Sequence, residues 1–110
     1  MIIKNGFVFQ EDGTFEKKDL FIEAGKIVSS SQEVLDKTEL DASGLKVIPG
    51  LIDIHSHGAS GHDFSDGNLE GLKTILKYEK SHGITSYCPT SMTLPMEQLI
   101  QIFSTAKNIC

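Results

Sequence analysis

The chain has no arginine: its ten basic residues are all lysine, set against fifteen acidic ones for a net charge of −5. A surface that tracks nucleic-acid phosphates needs clustered positive charge, so nucleic acid is not an expected partner. Any phosphate the chain meets must be held by lysine, by backbone amides or by another chain. Cysteine is equally scarce. Cys88 and Cys110 have no metal-type spacing and no secretory context, which predicts reduced thiols rather than a disulfide. A long apolar run is missing too. The stretch from Val47 to Ile54 already contains Pro49, Gly50 and Asp53, far short of the roughly 20 apolar residues a membrane span requires. Met1 leads into "IIKNG" without a basic start or a small-residue cleavage site, so the expectation is a cytoplasmic protein with no membrane partner.

What is present changes character along the chain. The first 45 or so residues read as short strands joined at Asn5-Gly6, Asp12-Gly13 and Ala24-Gly25, each dipeptide flanked by apolar or β-branched residues. Glycine recurs too often there for a helix interior, so a small β unit is expected. From "LKVIPGLIDIHSHG" onward the strand Leu51 to His55 is apolar on both sides, the pattern of a strand covered on both faces. A loop rich in Gly, Ser and Asp follows, "HGASGHDFSDG". Leu69, Leu72, Ile75, Leu76 and Glu79 then recur at helical spacing, which predicts a helix from Leu69 to His82, started by Asp66 or Asn68 and ended at Gly83. "ITSYCPTS" reads as a second strand. "LPMEQLIQIFSTAKNIC" reads as a second helix, with Pro95 near its first turn and Leu99, Ile100, Phe103 and Ala106 on one face. Repeated β/α units build parallel sheets covered by helices, and two such units complete neither an open sheet nor a barrel. A full β/α barrel takes about 250 residues, so 110 residues ending within a helical pattern are expected to be an N-terminal fragment.

The chemistry concentrates in "IPGLIDIHSHG". On a strand, residues i and i+2 share a face, so Asp53, His55 and His57 are expected to project together, with histidine Cα atoms roughly 6 to 7 Å apart. Two neutral imidazoles can converge on one divalent ion, and Asp53 can orient one of them. His55 and His57 also end the first strand of a β/α unit, the edge at which barrel active sites form. A bare H-x-H is a weak signal and is equally compatible with incidental histidines. His62 is either a further ligand or substrate contact or a solvated loop residue. His82 suits the C-terminal dipole of its helix, and Asp63 and Asp66 suit turns and caps. "CPTS", from Cys88 to Ser91, follows a strand end and could line the same site.

These motifs carry a resemblance. "VIPGLIDIHSHG" resembles the start of the barrel in the amidohydrolase superfamily, and "FIEAGKIV" with "LDASGLKVIPG" resembles the small β domain preceding it there. "HSHGASGHDFSDG" followed by "SHGITSYCPTSMT" is most similar to the N-acetylglucosamine-6-phosphate deacetylases, with Gly83, Ile84, Thr85, Ser86, Tyr87, Pro89 and Thr90 matching their second barrel strand. The resemblance implies an α/β fold: residues 1–46 as part of a small β-sandwich, then residues 47–110 as the first two β/α units of a TIM-like barrel, incomplete in this chain. It implies hydrolysis of the acetamide of N-acetylglucosamine 6-phosphate, a small amino-sugar phosphate, to glucosamine 6-phosphate and acetate. It implies a divalent metal, zinc or iron, as one or two ions held in part by His55 and His57, and a homodimer. The catalytic aspartate and the other ligands come from later strands in that family, so no catalytic residue falls within this chain, and turnover is not expected from it alone. A dihydroorotase, hydantoinase or adenine-deaminase type of enzyme would share "PGLIDIHSH". A non-catalytic β-rich binding or assembly module is the alternative of a different class.

Overall fold

The computed structural model describes residues 1–109, so Cys110 and the thiol expectation attached to it lie outside the described residues. The chain divides into two units, Met1–Pro49 and a second that starts at Gly50.

The first unit is a five-stranded sheet built around β1 (Ile2–Phe9). β2 (Phe15–Glu23) pairs antiparallel with β1, and β3 (Lys26–Val28) pairs antiparallel with β2. On its other edge β1 takes two short parallel partners in succession, β4 (Glu39–Asp41) and β5 (Lys46–Val47). Alternation along β1 buries Ile2, Gly6 and Val8. Gly6 must be glycine because β1 runs close beneath its neighbours: a Cβ there would lie 2.6 Å from Val47 Cγ2 and 3.3 Å from Ala42 Cβ.

Two of the three expected turns form. Asp12-Gly13 closes the β1–β2 hairpin, with Gln10 N–H donating to the Thr14 carbonyl. Ala24-Gly25 closes β2–β3 with both residues at positive φ, 48° and 75°, the geometry a two-residue hairpin demands. Asn5-Gly6 is not a turn. The strand runs straight through it with a bulge, two residues of β1 facing only Asp19 of β2 between the pairs Ile3↔Leu20 and Gly6↔Lys18. Asn5 takes a left-handed φ of 62°. Its N–H donates to Asp19 Oδ1 at 2.9 Å and its Nδ2 to Asp41 Oδ1 at 3.0 Å. The two carboxylates thus replace the ladder partners that the bulge removes.

A short-range rule recurs in the connections. In Asp12-Gly-Thr14, Asp36-Lys-Thr38 and Asp41-Ala-Ser43 the Asp Oδ1 accepts from both the N–H and the hydroxyl two residues on, at 2.6–3.0 Å. These bonds stabilise the charged form. The Thr14 backbone and hydroxyl hold Asp12 below the ordinary carboxylate value, as the Thr38 hydroxyl and backbone do for Asp36. The Ser43 hydroxyl, followed by the Asn5 amide, does the same for Asp41.

The second unit opens with β6 (Leu51–Ser56), which pairs in parallel with β9 (Ile84–Pro89). Between them lie a small hairpin of β7 (Gly58–Ala59) and β8 (His62–Asp63), a 3-10 turn Phe64–Asp66 and helix α1 (Leu69–Ser81); α2 (Met96–Lys107) follows β9. The hairpin sits inside the stretch read as loop, turned at Ser60-Gly61 with φ of 54° and 79°. Asn68 rather than Asp66 caps α1, its Oδ1 accepting from Glu70 and Gly71 N–H. Asp66 serves the capping box of the 3-10 turn with Asp63. His82 is the C-cap of α1, and Gly83 at φ 85° ends the helix.

Leu72 and Ile75 are buried on α1 as their spacing predicts, and Leu72 joins Phe64 and Ile102 in a core flanked by Leu76, Leu94, Ala106 and Ile109. The expected face of α2 needs correction. Ile102 is the buried residue, whereas Ile100 and Phe103 are 59% and 54% exposed. Ile102, Ala106 and Ile109 also have helical spacing, and this second stripe is the one that packs with Phe64 and Leu72. Phe103 keeps a tilted contact with Phe64, 6.1 Å between ring centres and 53° between planes. β6 differs as well: Ile52 and Ile54 are 67% and 77% exposed, because α1 packs on β9 and on the β7–β8 hairpin.

Two outcomes follow. The depressed carboxylates bind fewer protons in the folded state, so the stability they contribute is present above their ordinary values and is lost as pH falls through their folded ones. Chemical denaturation should therefore show stability dropping below about pH 4, with Asp41→Asn flattening that drop; a pH-independent midpoint would refute it. Gly58→Ala places a Cβ against the His62 carbonyl oxygen of the paired strand and should cost about 1–3 kcal/mol, which an unchanged denaturation midpoint would contradict.

Candidate metal centre

His55 lies near the C-terminal end of β6 and His57 immediately follows it. Their rings stand edge to face, 5.3 Å apart and at 87°. Two imidazoles sharing one tetrahedral ion through nitrogens at about 2.0–2.1 Å bring their ring centres to about 5 Å. The observed separation fits that arrangement.

The strand is irregular where the histidines emerge. The β6–β9 ladder shifts register between Asp53 and Ser56, and the His55 N–H donates to Asp53 Oδ1 at 2.9 Å. Asp53, expected to orient an imidazole, instead holds the backbone of His55. Irregularities of this kind re-aim side chains at the ends of strands.

His57 is fixed at both backbone and ring. Its carbonyl accepts from Phe64 N–H at 2.7 Å. Its Nδ1 lies 2.8 Å from the Thr90 carbonyl oxygen. A carbonyl only accepts, so Nδ1 carries the proton and Nε2 keeps its lone pair free for a ligand. Thr90 N–H in turn donates to the Ser56 carbonyl at 2.8 Å. Of the "CPTS" stretch, Thr90 therefore meets the site through its backbone, a role that side-chain identity does not announce.

The other candidates separate. His62 on β8 is exposed, and its ring lies over Gly71 in the first turn of α1, where a Cβ would come within 3.1 Å of Nδ1. It lines an open, polar hollow together with His57, Asp63 and Asp66. His82 donates from Nδ1 to the Tyr78 carbonyl at 2.9 Å and lies tilted against the Tyr78 ring, 4.3 Å between centres, a helix-end role. Tyr87 on β9 donates to the Ser56 carbonyl at 3.3 Å; burial, reinforced by Glu79, Asp53 and Asp63, pushes its phenol above the ordinary value. Among the described residues, no three His, Cys, Asp or Glu side chains come together as a complete metal site. His55 and His57 fit a divalent ion as two ligands of a larger set.

No protein-family model matches the chain. Its sequence relatives include members of two groups of enzymes. An N-acetylglucosamine-6-phosphate deacetylase from Lysinibacillus sphaericus is 32% identical over 112 residues, covering 100% of this chain and 28% of its own length. A dihydroorotase from Listeria innocua is 35% identical over 98 residues, covering 86% of this chain and 22% of its own. Among solved structures, the N-acetylglucosamine-6-phosphate deacetylase from Pasteurella multocida superposes with a TM-score of 0.83 at 22% identity, over 97% of this chain and 29% of that one. The deacetylase from Thermotoga maritima gives 0.78 at 24%, over 99% and 28%. The chain spans between a fifth and a third of the length of these proteins. Along its length it is similar in sequence to one part of the N-acetylglucosamine-6-phosphate deacetylases and matches the fold of that part.

Proposed function

We propose that these residues form the first metal-holding segment of an N-acetylglucosamine-6-phosphate deacetylase, in which His55 and His57 are two ligands of a divalent ion, zinc or iron. The observation that carries this reading is the His57 Nδ1 bond to the Thr90 carbonyl at 2.8 Å, which leaves Nε2 available beside the ring of His55. Residues 1–46 would then belong to a small β-sandwich and residues 47–110 to the start of the barrel. A bound divalent ion supplies Lewis-acid polarisation of the amide carbonyl and a more acidic water. The chain's own contribution is to hold and orient: Asp53 sets the His55 backbone, Phe64 and Thr90 set His57, and neither histidine transfers a proton. The full cover of this chain by the Lysinibacillus deacetylase favours an amino-sugar phosphate as substrate.

A second reading is a dihydroorotase-type amidohydrolase, favoured by the 35% identity to the Listeria protein. No helix of the described residues is long and apolar enough to cross a membrane. A cytoplasmic setting suits Cys88, a free and exposed thiol.

Elemental analysis beside a deacetylation assay tests the assignment. The 110-residue chain should bind zinc only weakly and release no acetate from N-acetylglucosamine 6-phosphate, because the described residues bring two ligands together and no third. An intact enzyme that contains these residues should hold metal and release acetate, and His55→Gln with His57→Gln should lower its metal content per chain. Unchanged stoichiometry would remove the histidines from the site, and hydrolysis of dihydroorotate in place of acetate release would favour the second reading.

The exposed Ile52 and Ile54 on β6, with β9 as its one strand partner among the described residues, favour association of the chain, and a homodimer is the assembly proposed for the intact enzyme. Light scattering after size exclusion should give a mass above 12.0 kDa for the isolated chain; a monodisperse monomer would count against it.

A further inference from the structure

The bond that orients His57 is made to a backbone carbonyl in the β9–α2 connection, a segment with few regular partners of its own. One side chain ties it down. The Met92 N–H, two residues past Thr90, donates to Ser65 Oγ at 2.9 Å. Ser65 belongs to the 3-10 turn Phe64–Asp66, where its own N–H donates to Asp63 Oδ1 at 2.7 Å, and its neighbour Phe64 donates to the His57 carbonyl at 2.7 Å. Phe64 is 4% exposed and packs with Leu72 and Ile102, so the turn is anchored in the core.

We propose that Ser65 is a positioning residue for His57: it clamps the Met92 backbone, holds the Thr90 carbonyl over Nδ1, and so keeps the imidazole in the tautomer that presents Nε2. The inference deepens the metal-ligand reading of His57 and rests on it for its functional meaning. The geometry is a closed circuit. His57 is held at its carbonyl by Phe64 and at its ring by Thr90, and Ser65 links those two holders through Met92. Thr90 N–H on the Ser56 carbonyl fixes one side of the connection; Ser65 supplies the second point that a peptide needs to keep its carbonyl direction. Removal of the hydroxyl leaves the Met92 N–H without that acceptor and frees the Thr90 peptide to turn.

The tautomer is measurable without metal. Long-range nitrogen–proton correlation spectra of the nitrogen-15-labelled protein at pH 9, above the ordinary imidazole range, distinguish Nδ1–H from Nε2–H, and His57→Gln identifies the His57 signals. The parent should show Nδ1–H at His57, Ser65→Ala should show a mixture with Nε2–H, and Ser65→Thr, which keeps a hydroxyl, should return to the parent pattern. Zinc affinity, measured against a chromophoric chelator, should fall about 10-fold in Ser65→Ala and recover in Ser65→Thr. An Nε2–H parent, or a Ser65→Ala spectrum identical to the parent, overturns the proposal. If the tautomer moves as expected while His57→Gln binds zinc as the parent does, Ser65 keeps its positioning role and the ligand reading of His57 is what fails.

Discussion

Parallel pairing of β6 with β9 is the constraint on which the site depends. Parallel strands end at the same edge of a sheet, so the residues that leave β6 and those that leave β9 meet there, although more than thirty positions separate them in sequence. The ladder supplies the approach, and the shift in register between Asp53 and Ser56 supplies the aim. With the Asp53 carboxylate taking the His55 N–H, the strand yields one pairing position and His55 and His57 turn toward each other. A perfectly regular ladder would keep more backbone bonds and would present the two rings one pleat apart along one face.

The parts of this arrangement legible in the sequence are those fixed by short-range chemistry. Asn68 reads as a cap because its side chain reaches N–H groups two and three residues on, and Ala24-Gly25 reads as a turn because both residues need positive φ. The spacing of His55 and His57 reads as a shared strand face, but the register shift that turns their rings toward each other does not. Asn5-Gly6 misleads for an instructive reason. The same left-handed tendency that makes Asn a good hairpin residue also makes it a good bulge residue, and the choice is made by Asp19 and Asp41, which lie far along the chain. The face of α2 is undecided locally because Leu99, Ile100, Ile102, Phe103 and Ala106 cover too much of its circumference; contact with Phe64 and Leu72 selects Ile102. The Thr90 carbonyl and the Ser65 hydroxyl escape side-chain motifs altogether, since one is backbone and the other acts only through where the chain returns.

The two histidines carry different degrees of preparation. His57 has its Nδ1 proton engaged and its backbone carbonyl bonded, so much of the ordering cost of its ring is met by folding. His55 is exposed, its backbone N–H bonded to Asp53 Oδ1 and no hydrogen bond to its ring among the described residues. A group ordered in advance loses less entropy when it binds, so in the proposed metal site His57 is the fixed post of the pair and His55 the adjustable one. The difference follows from which residue lies beside the returning β9–α2 connection.

That asymmetry also bears on why a pair of histidines is not enough. Zinc in a protein site takes three or four ligands, and the described residues bring no third His, Cys, Asp or Glu side chain to the pair. Asp53 is committed to backbone, Asp63 and Asp66 to the capping box of the 3-10 turn, and the His62 ring lies against Gly71. The local acids are thus occupied in holding the fold, which leaves any remaining donors to come from outside the β6–β9 edge. In the proposed metal site, the affinity of two imidazoles rises steeply only when further ligands are brought to the same ion.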